Sequence, residues 1–144
     1  MFFSEVEKEK IIAAIKEAEL NTSGEVKVHV EELCSEADPL ERAKEVFSYL
    51  SLDKTAQRNG VLFYLAHGDR KFAVLGDIGI DKVVPAHFWE STRDALRVSF
   101  SQGNFSEGLQ TGIKEAGLQL KKYFPFQKDD INEISDDIST EPIP

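Results

Sequence analysis

The sequence predicts an α/β fold: a single-domain αβα sandwich with a small mixed sheet and the element order α-β-α-β-β-α-α. Three observations carry this. Residues 25–31, EVKVHVE, alternate valines with Lys27 and His29 in the two-residue period of a half-buried strand. Residues 61–66, VLFYLA, form a continuous apolar run of strand length, as expected for a strand buried on both faces. Around these strands, apolar residues recur at helical spacing behind recognisable start signals.

Taken in order, Ser4 and Glu7 have capping-box spacing, and Val6, Ile11, Ile12, Ile15 and Ala18 follow at helical intervals until Asn21-Thr22-Ser23-Gly24 stops the helix. After the first strand, Asp38, Pro39 and Glu41 supply an N-cap, a first-turn proline and a box partner. Leu40, Ala43, Phe47 and Leu50 then predict a second helix ending near Leu50. The polar connection 51–60 ends in Asn59-Gly60, a dipeptide suited to a turn with positive φ. His67-Gly68-Asp69-Arg70 reads as a tight turn before KFAVL. The two apolar runs are too close for a crossover, so they pair as an antiparallel hairpin, while the first two strands, joined by a helix, run parallel. Pro85 fits the start of a helix with Phe88, Trp89, Thr92, Leu96 and Phe100 on one face. Asn104 with Glu107 opens the last helix, which buries Leu109, Ile113, Ala116 and Leu120 and stops before Pro125.

The 144 residues, 41% hydrophobic with ten phenylalanines, suffice for one core, placed in residues 1–127. Residues 128–144 are rich in acids, contain no Lys or Arg beyond Lys128, and end near two prolines, which predicts a disordered acidic tail. A net charge of -9 and a pI near 4.8 argue against nucleic acid or an anionic membrane as partner and favour a cation or a basic protein. The single Cys34 excludes an internal disulfide and a multi-cysteine metal cluster, and sits beside acids, so an inert thiol is expected. The start MFFSEVEKEK is neither a signal peptide nor a membrane span, and no later apolar run approaches ~20 residues. A soluble, cytoplasmic protein without membrane insertion is the expectation.

Several chemistries lack their local requirements. There is no G-x-x-x-x-G-K-[ST], no H-E-x-x-H and no G-x-S-x-G, and Gly76 and Gly79 lack the spacing of a dinucleotide loop. His29, His67 and His87 stand in a strand, a turn and a helix start, where surface or packing roles are expected. Carboxylates remain. Asp77 and Asp81 follow the third strand in AVLGDIGID, where ligands gather in open α/β sheets, and Glu90 and Asp94 share one face of the next helix. Two readings stand side by side. The acids converge on a hard cation that draws further oxygens from backbone and water, or they are a turn and a solvated helix face in which Glu90, Arg93, Asp94 and Arg97 pair.

The succession TSGEVKVHV, DKTAQRNGVLFYLA, DRKFAVLGDIGI, FWESTRDAL and QGNFSEGLQTGI resembles a TPM domain over about residues 20–123. The resemblance rests on Ser-Gly-Glu before the first strand, Asn-Gly before the second and the glycine-bearing exit of the third. It implies a compact αβα sandwich. Family members are associated with phosphatase activity and calcium binding, and with an accessory role at a receptor. By position, the implied acidic cleft involves Asp77 and Asp81, with the Asn59 turn nearby. Two departures stand out: many members carry aspartate where Arg58 stands here, which replaces a cation ligand by a cation, and most are exported or membrane-tethered.

The expectation is therefore a divalent-cation cleft, Ca²⁺ or another ion, held by Asp77, Asp81, Glu90 and Asp94. Any phosphatase-like reaction there would be metal-assisted, with Arg58 orienting the phosphate beside Asn59. The alternative is a noncatalytic interaction module whose acidic tail or cleft meets a basic protein partner.

Overall fold

A computed structural model describes residues 2–126 and 134–144, so positions 128–133 of the expected tail lie outside the described residues. Among the described residues the elements are five α-helices, α1 (Glu5–Asn21), α2 (Pro39–Tyr49), α3 (Ile78–Asp81), α4 (Glu90–Ser101) and α5 (Phe105–Leu120), a single 3-10 turn (Leu52–Lys54) and three strands, β1 (Glu25–Glu31), β2 (Gly60–Ala66) and β3 (Lys71–Gly76). The α/β class, the parallel and antiparallel pairings and every expected strand are observed. α3 is an addition. None of the helices is long and apolar enough to cross a membrane, among the described residues. The chain divides into two units.

One unit, Met1–Gly24 with Pro85–Ile131, is helical. The Ser4 hydroxyl accepts from the Glu7 N–H at 3.1 Å while the Glu7 carboxylate accepts from the Ser4 N–H at 3.0 Å, so the capping box starts α1 as its spacing implies. α1 buries Ile11, Ala14, Ile15 and Ala18. α5 buries Leu109, Ile113, Ala116 and Leu120. The two helices meet at Gly117, where a Cβ would stand 2.7 Å from that of Ala18, so a side chain there would force them apart. α4 turns Thr92, Leu96 and Phe100 inward, and Phe100 packs on Phe105 with ring centroids 5.3 Å apart. The last described residues of this unit return to its start: the Phe124 carbonyl accepts from the Ser23 N–H at 2.9 Å and from the Thr22 hydroxyl. Pro85 lies before the helix rather than at its start, and α4 begins five residues later at Glu90.

The other unit, Glu25–Val84 with Asn132–Pro144, holds the sheet, in the order β1-β2-β3. β1 and β2 are parallel, with Val28 opposite Phe63. β2 and β3 are antiparallel, with Phe63 opposite Val74. α2 starts where Asp38 caps the Leu40 N–H at 2.9 Å. Its Ala43, Val46 and Phe47 form a core with Leu52, Leu62, Tyr64, Ala66 and Ala73.

Two expectations need correction here. Positive φ in the turn before β2 falls on Arg58, at 51°, and not on Asn59 or Gly60. Residues 134–144, read as part of a disordered tail, lie against β1: the Ser139 N–H donates to the Val28 carbonyl at 2.8 Å, and Val30 N–H donates to the Ser139 carbonyl at 2.9 Å. The tail's acidity signalled too few apolar contacts for order, yet Ile134 and Ile143 pack on the α2 core and basic side chains receive the segment's carbonyls.

Candidate functional site

The exit of β3 turns sharply. The Asp77 N–H donates to the Gly60 carbonyl at 2.9 Å, and its side chain caps α3 by accepting from the Ile78 N–H at 2.8 Å. The same carboxylate is gripped from the preceding loop. Arg58 Nε lies 2.7 Å from Oδ2 and Nη2 lies 2.9 Å from Oδ1, a bidentate pair with Asp77 only 5% exposed. Gly79 makes the approach possible. Its N–H donates to the Arg58 carbonyl at 2.9 Å, and a Cβ on it would stand 2.2 Å from the Gln57 carbonyl oxygen. The glycine that drew attention in the sequence is thus needed for closeness, and the loop it admits carries the arginine.

Beside this pair is a pocket of ≈ 260 Å³ within the same unit. Phe47, Leu75 and Ile78 form its apolar walls, and Lys44, Ser48, Asp77 and Asp81 its polar rim. Lys44 is paired with Glu41 at 3.3 Å. Desolvation, and then the neighbouring Asp77, push the Asp81 pKa above the ordinary carboxylate value. No salt bridge to Asp81 is found among the described residues, although its backbone N–H donates to the Asp77 carbonyl at 3.2 Å.

Of the remaining expected residues, Asn59 is 2% exposed, its N–H on the Thr55 hydroxyl at 3.2 Å and its carbonyl accepting from the Glu25 N–H at 3.2 Å. Glu90 and Asp94 belong to the helical unit. Glu90 lines a pocket of ≈ 310 Å³ with Pro85, His87, Phe88, Ser91 and Gln119, and exposed Asp94 pairs with Arg97 at 2.8 Å. Within each unit, the described residues contain no group of three or more His, Cys, Asp or Glu side chains that could hold a metal ion.

A second polar cluster was not anticipated. Glu31 accepts from Arg42 Nε at 2.9 Å, from Arg42 Nη2 at 3.0 Å and from the Tyr64 hydroxyl. Buried His29 lies 3.4 Å from Glu31 Oε1 through Nε2 and 2.9 Å from the Ser139 hydroxyl through Nδ1. Desolvation opposes charge on Glu31, but bonding to Arg42 and Tyr64 prevails and holds its pKa below the usual value. Desolvation pulls His29 below its ordinary value. Hydroxyl, imidazole and carboxylate stand in line as in a nucleophilic relay. Here, however, Ser139 is buried and both Glu31 oxygens are engaged by Arg42, so the line acts as a clamp. One signal was available in the sequence: Arg42 shares the inward helix face with Val46, four residues on.

A family model described as TPM domain matches residues 1–119. Among solved structures, the NMR structure of BA42 protein from the psychrophilic bacterium Bizionia argentinensis is 48% identical, with a TM-score of 0.91 over 98% of this chain and 97% of that one. The N-terminal domain of cg2496 protein from Corynebacterium glutamicum is 14% identical, with a TM-score of 0.59 over 96% of this chain and 81% of that one, and shares the fold alone. The curated proteins contain no match.

Proposed function

We propose, for a chain that belongs to the TPM domain family, that the pocket at the exit of β3 is a noncatalytic recognition site for a basic side chain of a protein partner. The observation that carries this is the unequal state of its two acids. Arg58 neutralises Asp77 within the chain, whereas Asp81 has no such cation among the described residues, and it stands beside walls made by Phe47, Leu75 and Ile78. A lysine or arginine side chain suits this: its methylene stem lies along apolar surface and its charged head meets the carboxylate. The raised Asp81 pKa is the sign of a carboxylate that gains from an incoming positive charge. The net charge of -9 steers basic partners toward the molecule.

A resident divalent cation does not fit the arrangement as it stands. Asp77 already accepts three hydrogen bonds, two of them from a guanidinium whose charge repels a metal ion. Cation binding is a second reading, with Arg58 turned away. It is favoured by one observation, that Asp77 and Asp81 line the same pocket. A divalent ion bound there would supply positive charge to both carboxylates, and phosphatase-like chemistry depends on it.

The test is fluorescence anisotropy with a labelled peptide carrying one lysine among glycines, against the same peptide with norleucine. The lysine peptide is expected to bind, and Asp81→Asn to weaken it by about fivefold, the scale of one partly screened ion pair. Equal binding of the two peptides, or unchanged binding by the variant, overturns the reading.

A further inference from the structure

The pocket at the exit of β3 is lined by charges of both signs, and they come from different elements of one unit. α2 contributes Lys44 and Ser48, α3 contributes Asp81, and Phe47, Leu75 and Ile78 supply the apolar surface. Lys44 and Ser48 are four residues apart on α2, hence on one face of it, so an ammonium and a hydroxyl stand one turn from each other. On the α3 side, Asp77 is already closed by the Arg58 guanidinium, which leaves the Asp81 carboxylate as the acid open to a ligand.

Two opposite charges on one small pocket attract each other. Yet no salt bridge joins Lys44 to Asp81 among the described residues, and Lys44 pairs instead with Glu41, three residues back on its own helix, at 3.3 Å. Both side chains of that pair are more than half exposed, so water screens it, and an incoming carboxylate replaces Glu41 without stripping a buried charge of its partner. A space of ≈ 260 Å³ thus holds a cation and an anion apart. The ligand that satisfies both carries one charge of each sign with apolar atoms between them. A lone ammonium or a metal ion answers only the acid.

We propose, resting on the reading of this pocket as a site for a basic side chain, that its ligand is a Lys or Arg residue at the C-terminal end of a partner chain, bound through both of its charges. The α-carboxylate accepts from Lys44 Nζ and from the Ser48 hydroxyl, the methylene stem lies along Phe47, Leu75 and Ile78, and the charged head meets Asp81. A terminal basic residue supplies the anion, the apolar spacer and the cation from a single Cα. An internal lysine offers a neutral amide in place of the carboxylate and leaves Lys44 with Glu41. A terminal apolar residue leaves Asp81 without a cation. Selection therefore needs both ends of the ligand.

The experiment is fluorescence anisotropy on the full chain with three peptides labelled at their N-termini: Gly-Gly-Gly-Lys with a free carboxylate, the same peptide as its C-terminal amide, and amidated Gly-Gly-Lys-Asp-Gly, each beside a norleucine counterpart. The free acid is expected to bind about fivefold more tightly than the amide, the scale of one partly screened ion pair. Lys44→Met keeps the apolar stem and removes the charge, and is expected to bind acid and amide alike, at the affinity wild type has for the amide. Asp81→Asn is expected to weaken both. Equal binding of acid and amide by wild type, with lysine still preferred over norleucine, overturns the chain-end ligand and leaves recognition of a basic side chain standing. No preference for lysine over norleucine in any peptide overturns both. A preference for the free acid that survives in Lys44→Met puts the carboxylate elsewhere and overturns the chain-end ligand at this pocket. Binding of the Lys-Asp peptide as tight as that of the free acid overturns it too, because a side-chain carboxylate then serves as well as a chain end.

Discussion

Arg58 reaches Asp77 with Nε at 2.7 Å and Nη2 at 2.9 Å from a backbone held at a φ of 51°. The chain thus accepts a left-handed conformation that side chains rarely adopt in order to place a cation on a buried carboxylate. Replacing Arg58 by alanine removes the pair and keeps the strained backbone. Glycine removes the pair and relieves the backbone. Thermal unfolding is expected to rank wild type above Arg58→Gly, and Arg58→Gly above Arg58→Ala. Equal midpoints for the two variants would show that the backbone conformation is not strained.

Gly79 is the second support of this arrangement. An added methyl group would lie 2.2 Å from the Gln57 carbonyl oxygen and 2.5 Å from that of Arg58, both backbone atoms. Gly79→Ala is expected to destabilise the protein by ~1–3 kcal/mol, the range for overpacking, measured by urea unfolding. It should also shift the amide signals of Arg58 and Asp77 more than those of β1. A variant as stable as wild type would mean that the loop yields freely.

Stability should fall on acidification in two stages. His29 is buried and its folded pKa lies below 6.5, so the unfolded chain binds more protons and stability falls as pH drops below about 6.5 through the folded pKa. Glu31 is also depressed, so the stability it contributes is present above about pH 4.5 and lost as pH falls further through its folded pKa. Urea midpoints between pH 7 and 5 should decline for wild type and be flatter for His29→Gln. Parallel curves for the two proteins would remove His29 as the source.

In the helical unit, the Thr92 hydroxyl is fully buried and has no hydrogen-bond partner among the described residues. Valine has the same shape without the polar atom. Thr92→Val is therefore expected to be neutral or stabilising by up to ~1 kcal/mol in urea unfolding. A clear loss of stability would show that the hydroxyl is satisfied in solution.

Much of the fold was legible because its signals are local. The Ser4 box, the Asp38-Pro39 start and the alternation of EVKVHVE each lie within a few residues and act within the same span. The one-turn helix α3 escaped notice because four residues, IGID, are too few to show a period. Asp77 and Asp81 were identifiable as a strand exit, but the partner of Asp77 lies 19 residues away in a polar loop, and no spacing rule connects them. The segment 134–144 was hidden for a similar reason: its acidity argued for disorder, while the groups that hold it, Lys27, His29 and Arg42, are more than a hundred residues earlier. Local pattern reports an element, and pairs distant in sequence decide what the element holds.

Recognition of a basic side chain at the exit of β3 is tested by following the amide spectrum of the wild-type chain during separate titrations with blocked lysine and with Ca²⁺. Lysine is expected to shift the amides of Ser48 and of Ile78–Asp81, and Ca²⁺ to shift this group only after Arg58→Ala frees Asp77. Movement of the same amides by sub-millimolar Ca²⁺ in the wild-type chain, with none by lysine, would contradict it.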